Sequence, residues 1–464
     1  MTWNPVYRAN DSRTPLVDGP DEGKRVTPKT LYPPSHVIEV NKVLSAMTAS
    51  SELTTAVRLS SPSPGQVWQT AHEIGHPAAL WRLPHQTEKH LIVHLGDALT
   101  EQPTDLDERP PGFAMGLFNS ATATHNEARA YYLQADQHYV FNPANDAPGA
   151  VKVSHASSDK AFEQAVQRVM QRHQTAPAEV SFTETPDPAA QASFEATVAE
   201  ATREMQAGNF WKVVISRTKT LDFGQQPDVT VLFDRLCAAY PAAFVSAVFL
   251  PEGTTDAPAQ IWLSATPERL VSVDANGIFK TVALAGTQSA HYPDGTLKRT
   301  ADALWSQKEI EEQALVSRYI IGCFKKIRLR EYLEEGPKTA LAGNLMHLCT
   351  NYTVDTKAVN FPQLGTVMLR LLHPTSAVCG MPRPEALSFI EAHERHDRQF
   401  YAGFLGPVNI GGASSLFVHI RCLKLEGQRA TLYAGAGLTE DSDPKKEWLE
   451  TEMKCQTLLR GMQG

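Results

Sequence analysis

The sequence predicts an α+β fold, because strand and helix patterns are mixed without the regular βαβ alternation of a doubly wound sheet. Apolar or alternating runs such as 80–83 and 243–250 predict strands, whereas three- and four-residue apolar spacing at 191–206 predicts a helix. The chain has 464 residues, which is enough for a sizeable core and for two or three domains.

The N-terminal part of the chain has the weaker pattern. Residues 1–35 are rich in Pro, Gly, Asp, Arg and Lys, which predicts a poorly ordered extension. Residues 36–189 form a predicted N-terminal region that ends in a polar linker at 174–188. Within it, short strands are predicted at 66–68, 80–83, 91–93 and 139–141, and a helix at 160–173.

Residues 190–464 carry the clearest pattern and form the second predicted domain. Helices are predicted at 191–206, 228–240, 299–335 (one long helix or a broken pair) and 384–391, and strands at 210–221, 243–250, 261–273, 416–425 and 429–434. A final helix is expected after Asp443, a good N-cap, with Pro444 at the first helical position.

Composition excludes several classes of protein. The net charge is −8 and no basic patch is present, which argues against a nucleic-acid partner. No apolar run reaches the ~18–20 residues of a membrane helix, and the N-terminus lacks the apolar stretch of a signal peptide. The six cysteines are scattered without a CxxC pair, as in reducing compartments. We therefore expect a cytoplasmic protein without membrane partners, as a monomer or weak homodimer.

The predicted C-terminal helix has an unusual face. Glu447, Glu450, Lys454 and Leu458 share it by three- and four-residue spacing. Carboxylates one turn apart suit a hard cation such as Mg²⁺, and the lysine further on could hold an anion that the metal also binds. The alternative is a solvated helix in which Glu450 pairs with Lys454.

A second pair of carboxylates lies on the long predicted helix. Glu309 and Glu312 fall on a stripe that is otherwise apolar. Carboxylates that face a core need a metal or an ion pair, because an unpaired buried charge is very costly. The alternative is that both acids complement the dipole at the start of the helix.

Two further groups could carry acid–base chemistry. Lys212 lies in an apolar strand, where it is either an edge-strand gatekeeper or a desolvated base with a lowered pKa. Glu268 follows a break between two strand runs and is either a turn acid or, across a pocket from Lys212, a general acid. The Gly286-Thr287 pair is expected to end a strand, where backbone N–H groups can meet an anion.

One motif points to different chemistry. His72-Glu73-Ile74-Gly75-His76 matches the HExxH pattern of zinc peptidases. Pro77 follows at once, so a helix carrying both histidines would have to end on its second ligand. A zinc metallopeptidase is therefore a distant alternative.

Taken together, seven motifs resemble the chorismate-utilising enzymes: isochorismate, salicylate, anthranilate and aminodeoxychorismate synthases. They occur between about residues 190 and 461, in family order: KVVISR, SATPE, ALAGT, KEIEEQALV, MHL, LHPTSAVCG and YAGAGLTEDSDPKKEWLETEMK. The resemblance implies stacked antiparallel sheets flanked by helices, as in anthranilate synthase component I. It also implies that residues 190–464 are the chorismate-binding catalytic domain.

The resemblance also implies roles for particular residues. Lys212 would be the general base and Glu268 the general acid, and water would replace the C4 hydroxyl by attack at C2. Glu312 and Glu450 would bind Mg²⁺, with Glu309 and Glu447 beside them. The other matched positions would bind chorismate: Gly286, Thr287, His347, Ala377, Tyr401, Arg421, Gly435 and Lys454.

The same resemblance favours one member of the family. Aminodeoxychorismate synthases have a lysine nucleophile where this chain has Ala285, and anthranilate synthases lack Lys212. Ala377 favours isochorismate synthase over salicylate synthase, which tends to have threonine there and also eliminates pyruvate. Gln313 and Ser376 depart from the usual family residues. A catalytically inactive binding protein is disfavoured by the intact acid–base pair, and the pathway that the isochorismate serves, menaquinone, siderophore or salicylate, stays open.

Overall fold

The structure is a computed structural model that describes residues 61–119, 128–142, 151–155, 159–172, 180–255, 257–292, 294–342 and 345–463. The extension predicted for residues 1–35 lies outside the described residues. None of the helices in the described ranges combines the length and the hydropathy needed to cross a bilayer.

Eight helices lie in the described part of the chain: α1 (Pro64–Glu73), α2 (Lys160–Met170), α3 (Ala190–Gln206), α4 (Val229–Ala239), α5 (Gln307–Lys326), α6 (Leu364–Leu372), α7 (Arg383–His393) and α8 (Pro444–Gln463). Local sequence explains where several of them begin. Asp159 and Asp228 accept backbone N–H bonds at the starts of α2 and α4. Ser306 and Glu309 form a capping box at the start of α5. Asp443 accepts from Lys446 N at 2.9 Å, which confirms the predicted N-cap of α8.

Two antiparallel sheets hold the described strands. The first sheet contains β1 (Ala78–Arg82), β2 (Lys89–Val93), β6 (Gln137–Phe141), β7 (Val151–His155), β8 (Thr183–Glu184), β9 (Lys212–Asp222), β10 (Phe244–Leu250), β11 (Gln260–Thr266), β16 (Gly380–Met381), β19 (Cys422–Glu426) and β20 (Arg429–Leu438). The second contains β3 (Glu101–Pro103), β4 (Gly112–Gly116), β5 (Arg129–Gln134), β12 (Arg269–Val273), β13 (Ile278–Ser289), β14 (Leu333–Ala342), β15 (Leu345–Asp355), β17 (Phe404–Val408) and β18 (Ser414–Val418). Strands from both sides of residue 190 occur in each sheet.

The two sheets pack against each other through aromatic side chains. Phe244 of β10 stacks on Phe417 of β18, with ring centroids 4.2 Å apart. The first sheet is buried on both faces, so Trp81 of β1 joins the core shared with the second sheet while its neighbour Leu80 joins a second core with α1, α2, α4 and α8. The predicted α+β fold with stacked antiparallel sheets flanked by helices is confirmed.

Two of the places where the chain crosses from one sheet to the other are neighbours in the structure. It leaves β11 for β12 at Pro267-Glu268, and it leaves β18 for β19 at 419–421. The two crossovers are hydrogen-bonded to each other: Ala265 N donates to Arg421 O at 3.0 Å, and Val418 N donates to Glu268 O at 2.9 Å. These crossovers place Glu268 and Arg421 side by side at the junction of the sheets.

Several predicted elements differ in the structure. Residues 66–68, predicted as a strand, lie in α1, because the Ser63 capping box and Pro64 begin a helix there. The helix predicted over 299–335 is a short 3₁₀ turn at Thr300–Asp302 followed by α5, and β14 begins at Leu333. The strand predicted over 416–425 is two strands in different sheets. Gly286-Thr287 does not end a strand but forms an irregularity within β13, which continues to Ser289.

Candidate active site

A cavity of about 400 Å³ lies where the two sheet crossovers meet α5 and α8. We call it the reaction cavity. It is lined by Val214, Pro267, Glu268, Leu284, Ala285, Gly286, Thr287, Ser306, Lys308, Glu309, Glu312, His347, Ala377, Val378, Tyr401, Ile420, Arg421, Gly435, Gly437, Glu450 and Lys454. Its volume is in the range of small-molecule sites. Residues nearly 240 positions apart in the sequence therefore face one space.

Lys212 does not line this cavity, but its side chain contacts Glu312, which does. The side chain is only 2% exposed, and its Nζ donates to Glu312 Oε1 at 2.7 Å. Burial raises the pKa of Glu312, but the charge and hydrogen bond of Lys212 together with the charges of Lys454 and Lys308 outweigh burial, so the net effect is a lowered pKa. The desolvated-base interpretation requires a neutral Lys212, whereas in the structure its Nζ is paired with a carboxylate. The gatekeeper alternative does not apply, because β9 lies between β16 and β20 and is not an edge strand.

Glu268 has the opposite electrostatic behaviour. It is 9% exposed, and its carboxylate makes no hydrogen bond or ion pair with the described residues. Burial raises the pKa of Glu268 to about 7, although the charges of Arg421 and Lys212 oppose the shift. A carboxyl group that stays protonated near neutral pH is suited to donate a proton.

Arg421 is a cation without a protein partner in the described structure. Its guanidinium faces the reaction cavity, and it makes no hydrogen bond or ion pair with the described residues. Its backbone is in the left-handed region at φ 50°, which is uncommon for a residue other than glycine and occurs often at functional sites. Burial lowers the pKa of this guanidinium. An unpaired cation held in a strained conformation predicts that an anionic ligand binds here.

His347 and the β13 irregularity form the opposite part of the lining. His347 Nδ1 lies 2.8 Å from Gly286 O, and since a carbonyl only accepts, Nδ1 carries the proton and Nε2 is left as an acceptor. Burial lowers the pKa of His347 to about 4, so the ring is neutral at pH 7. Gly286 has φ 65°, and a Cβ there would meet the ring of Trp305 at 3.0 Å. The backbone turn at this point therefore requires glycine.

Tyr401, Gly435 and Lys454 form a third group. A Cβ on Gly435 would lie 2.8 Å from the Tyr401 hydroxyl, so glycine permits this close approach. Lys454 Nζ donates to Gly435 O at 2.7 Å and to Glu450 Oε1 at 2.6 Å. The solvated-helix alternative for α8 predicted this Glu450–Lys454 ion pair. The two residues nevertheless line the reaction cavity.

The carboxylates predicted to bind a metal fall into two groups. Glu312 and Glu450 line the reaction cavity, and Lys454, which is paired with Glu450, also influences the pKa of Glu312. Glu309 lines the cavity too, but its Oε2 accepts from Ser306 N at 2.8 Å in the capping box. Glu447 does not line the cavity; it is buried and pairs with Lys308 at 3.4 Å.

Two carboxylates on one cavity fit Mg²⁺ only if other ligands complete its coordination. Among the described residues, no group of three or more His, Cys, Asp or Glu side chains is placed to hold a metal ion. Mg²⁺ commonly binds one or two carboxylates together with substrate oxygens and water. The donor set formed by Glu312 and Glu450 therefore fits Mg²⁺ in a site that the substrate completes.

Sequence reasoning missed some of the lining. Gly437 lies beside the ion pair, since a Cβ there would be 3.4 Å from both Glu312 Oε1 and Lys212 Cε. Gly437 belongs to the small-residue run AGAG at 434–437, and this run is the sequence feature that points to a close approach of other groups. Lys308 and Ile420 also line the cavity, and nothing in the local sequence distinguishes them.

The zinc-peptidase alternative does not fit the structure. Helix α1 ends at Glu73, so His76 is not on the same helix as His72. Glu73 pairs with Arg172, and the His72 ring packs on Phe249 at 4.7 Å. The two histidines and the glutamate therefore do not form the arrangement that the HExxH motif requires.

The comparisons with known proteins agree with this geometry. The model of the chorismate binding enzyme family matches residues 126–463. The chain therefore belongs to that family. It is 32% identical to isochorismate synthase EntC of Escherichia coli strain K12 over 271 residues, which are 58% of this chain and 66% of EntC. The alignment thus spans just under two thirds of that relative.

Solved structures show the same fold. The menaquinone-specific isochorismate synthase MenF of Escherichia coli superposes with a TM-score of 0.64 at 21% identity, covering 86% of this chain and 91% of MenF. Anthranilate synthase component I of Streptococcus pneumoniae superposes with a TM-score of 0.57 at 19% identity, covering 93% of this chain and 100% of that one. The expected likeness to anthranilate synthase component I is confirmed for the fold.

Proposed function

We propose that this protein is an isochorismate synthase, which converts chorismate to isochorismate and requires Mg²⁺. The observation that carries the proposal is that Glu268 and the unpaired Arg421 line one cavity, with Lys212 paired to Glu312 behind its wall, in a chain of the chorismate binding enzyme family. Ala285, on the same lining, leaves no protein amine where an aminating enzyme of the family would have one. Water is then the nucleophile.

Chorismate carries two carboxylates, and the cavity offers two places for them. Arg421 and the Tyr401 hydroxyl, next to Gly435, would hold the enolpyruvyl carboxylate. The backbone at Gly286 and Thr287 would receive the ring carboxylate near Glu312 and Glu450. His347 Nε2 is an acceptor and would accept a hydrogen bond from a hydroxyl on the ring or from water.

Glu268 and Lys212 would perform the two proton transfers. Water adds at C2 and gives its proton to Lys212, the ring double bonds shift, and the C4 hydroxyl leaves as water with the proton of Glu268. Burial raises the pKa of Glu268 to about 7, so a large fraction of this carboxyl carries the required proton at neutral pH. Lys212 is paired with Glu312, so the base role requires that this pair opens and that Lys212 passes its proton to Glu312 or to solvent before it accepts one from water.

When bound, Mg²⁺ would neutralise the ring carboxylate and orient the ring. Glu312 and Glu450 would hold it. Lys454 already neutralises Glu450, so the binding of a cation there competes with an ion pair of 2.6 Å.

Product analysis tests the reaction. Incubation of the purified protein with chorismate and Mg²⁺ should yield isochorismate without a matching amount of pyruvate. Pyruvate and salicylate in equal amounts would indicate a salicylate synthase, and no consumption of chorismate would contradict the proposal.

Metal dependence is tested separately. Turnover should stop in excess EDTA, and Mg²⁺ with chorismate should raise the thermal midpoint of the wild type but not of Glu450→Gln. Glu440→Gln, an exposed change before α8, is the matched control. Full turnover in EDTA, or an unchanged Mg²⁺ shift in Glu450→Gln, would contradict the metal site.

A further inference from the structure

A second cavity of about 390 Å³ adjoins the reaction cavity. Pro267, His347 and Arg421 line both cavities, so the two meet at these side chains. We call the second cavity the side chamber. Met453 and Arg460 of α8 also line it, and both are exposed, so the side chamber reaches the surface along α8.

The side chamber is cationic, whereas the reaction cavity contains many carboxylates. Among the described residues, no Asp or Glu lines the side chamber. Arg421 stands where it meets the reaction cavity, and Arg460 is exposed at its surface side; neither guanidinium has a hydrogen bond or ion pair with the described residues. The reaction cavity, in contrast, is lined by four acidic side chains as well as by cations: Glu268, Glu309, Glu312 and Glu450, with Lys308, Arg421 and Lys454. The lining of the side chamber therefore carries positive charge without nearby carboxylates, which favours the presence of an anion there.

The pKa of Tyr240, which lines the side chamber, is influenced by the positive charges of both Arg421 and Arg460. Burial raises the pKa of its phenol, while the charges of Arg421 and Arg460 both oppose that shift. The phenol itself donates to Thr457 O and is not free to neutralise either cation. The remaining walls are mostly small or apolar, such as Ala242 and Leu458. Such walls offer an anion few hydrogen bonds, so they favour transit over tight binding.

We propose that the side chamber is the route by which the anionic substrate enters the reaction cavity, and that Arg460 attracts the substrate at its entrance. The proposal rests on the proposed function, since chorismate is a dianion. The protein has a net charge of −8, which repels anions at long range, and a local cationic entrance offsets that repulsion. Arg421 then receives the carboxylate at the inner end.

Arg460 can be tested by the kinetics of chorismate binding, followed in a stopped-flow instrument by tryptophan fluorescence. Trp305 lies against Gly286 of the reaction cavity and is a suitable reporter. Arg460→Ala should lower the association rate constant about 3- to 10-fold at low ionic strength, and the difference should disappear at high salt. Arg460→Lys should retain most of the rate. Arg429→Ala, at an exposed arginine that begins β20, is the control and should behave as the wild type.

A second variant tests whether the side chamber is the passage itself. Ala242→Phe places a ring in the chamber without touching the reaction cavity. A narrowed passage should slow association and dissociation by the same factor, so the dissociation constant should not change. Ala358→Phe, at an exposed turn residue, is the control.

The outcomes separate this proposal from the proposed function. If the wild type neither binds nor converts chorismate, the proposed function fails. If it binds chorismate but Arg460→Ala or Ala242→Phe associates at the wild-type rate at low ionic strength, the entry route is wrong and the proposed function stands.

Discussion

At the scale of single residues, Lys212 and Glu268 illustrate how similar burial leads to different charge states. Both side chains are at most 9% exposed. Lys212 has a carboxylate at 2.7 Å and remains an ion pair, whereas Glu268 has no direct partner among the described residues, so burial favours its neutral form. Glu268 in its neutral form can donate a proton, whereas the ion-paired Lys212 must give up its own proton before it can accept one from water.

Removing either group should stop turnover and leave substrate binding largely intact. Lys212→Ala and Glu268→Gln should each lower kcat about 10²- to 10⁴-fold, because a general base or acid is lost. Steady-state rates and a separate measurement of chorismate affinity check this. Ser272→Ala on β12, which is not part of the reaction cavity, is a control that should keep wild-type kcat. A variant of Lys212 or Glu268 with wild-type kcat would refute its role.

The protonation of Glu268 predicts a pH dependence. Glu268 must carry its proton to act, and burial raises its pKa to about 7. As pH rises above 7, kcat/KM should therefore fall, approaching tenfold per pH unit, since kcat/KM reports groups of the free enzyme. The residual rate of Glu268→Gln should lack this decline. A wild-type profile that stays flat to pH 9 would contradict the assignment.

Arg421 should be sensitive even to a conservative change. Its planar guanidinium can hold a carboxylate with two hydrogen bonds, which lysine cannot reproduce. Arg421→Lys should cost about 1.5 kcal/mol or more of transition-state binding, measured as kcat/KM. The same change at exposed Arg429 should have no effect. Wild-type kcat/KM in Arg421→Lys would exclude the contact.

The sequence predicted which residues gather around the reaction cavity better than it predicted their partners. Lys212 and Glu268 belong to the motifs KVVISR and SATPE, so they can be identified along the chain. The Lys212–Glu312 pair joins residues 100 positions apart, one on β9 of the first sheet and the other on α5, which packs on β13 and β15 of the second sheet. Local sequence carries no information about such a contact.

At the scale of elements, α8 combines two functions. Its buried face, with Cys455, Leu458 and Leu459, packs into the core against the first sheet, while Glu450 and Lys454 line the reaction cavity. The helix must therefore be firmly placed from its first turn. Asp443 provides this by capping the helix with its side chain.

Removing that cap should cost measurable stability. Asp443→Ala should lower the free energy of unfolding by about 1 kcal/mol, the usual value for a lost N-cap. Urea unfolding measures this, with Asp441→Ala as the matched control at an exposed acid just before the helix. Equal stability of the two variants would mean that the cap contributes nothing.

Elements with strong local patterns were predicted, and elements that depend on tertiary context were not. The helix at 228–240 was recognised because an aspartate cap precedes a clear apolar spacing. The sequence predicts one strand over 416–425, because apolar residues continue along the whole run. The structure divides it between two sheets. The left-handed backbone of Arg421 marks the break, and no residue type at that point requires it.

At the scale of the whole molecule, the class and layering of the fold were predictable and the strand order was not. Mixed strands and helices indicate α+β, and the family motifs imply stacked sheets. The order within each sheet places β9 beside β20 and β10 beside β1, pairings between strands more than 150 residues apart. Such pairings are selected by the burial of complementary faces, which no single stretch reveals.

The buried histidines predict the acid stability of the molecule. Burial lowers the pKa of His90, His138 and His419 to about 4. Because the unfolded chain binds protons that the folded chain does not, this stability is complete above pH 6.5 and is lost as the pH falls towards 4. Urea unfolding of the wild type should therefore show a lower free energy of unfolding at pH 5.5 than at pH 7.5.

A single histidine can be followed by substitution. Between these two pH values, His419→Gln should lose about 1 kcal/mol less stability than the wild type, because one titrating group has been removed. His85→Asn, at an exposed histidine with φ 61°, should lose as much as the wild type. An identical loss in all three proteins would show that His419 does not contribute.

The paired crossovers between the sheets have a mechanical consequence. Glu268 and Arg421 lie on two of the crossovers between the sheets, which are hydrogen-bonded to each other, whereas Lys212 and Gly435 belong to the first sheet and His347 to the second. A small slip of one layer along the other would change the spacing between base, acid and substrate anchor at the same time. The turnover rate of the proposed reaction should therefore depend on how the two sheets are aligned. Core substitutions far from the cavity that shift one sheet should lower this rate before they lower the stability of the fold.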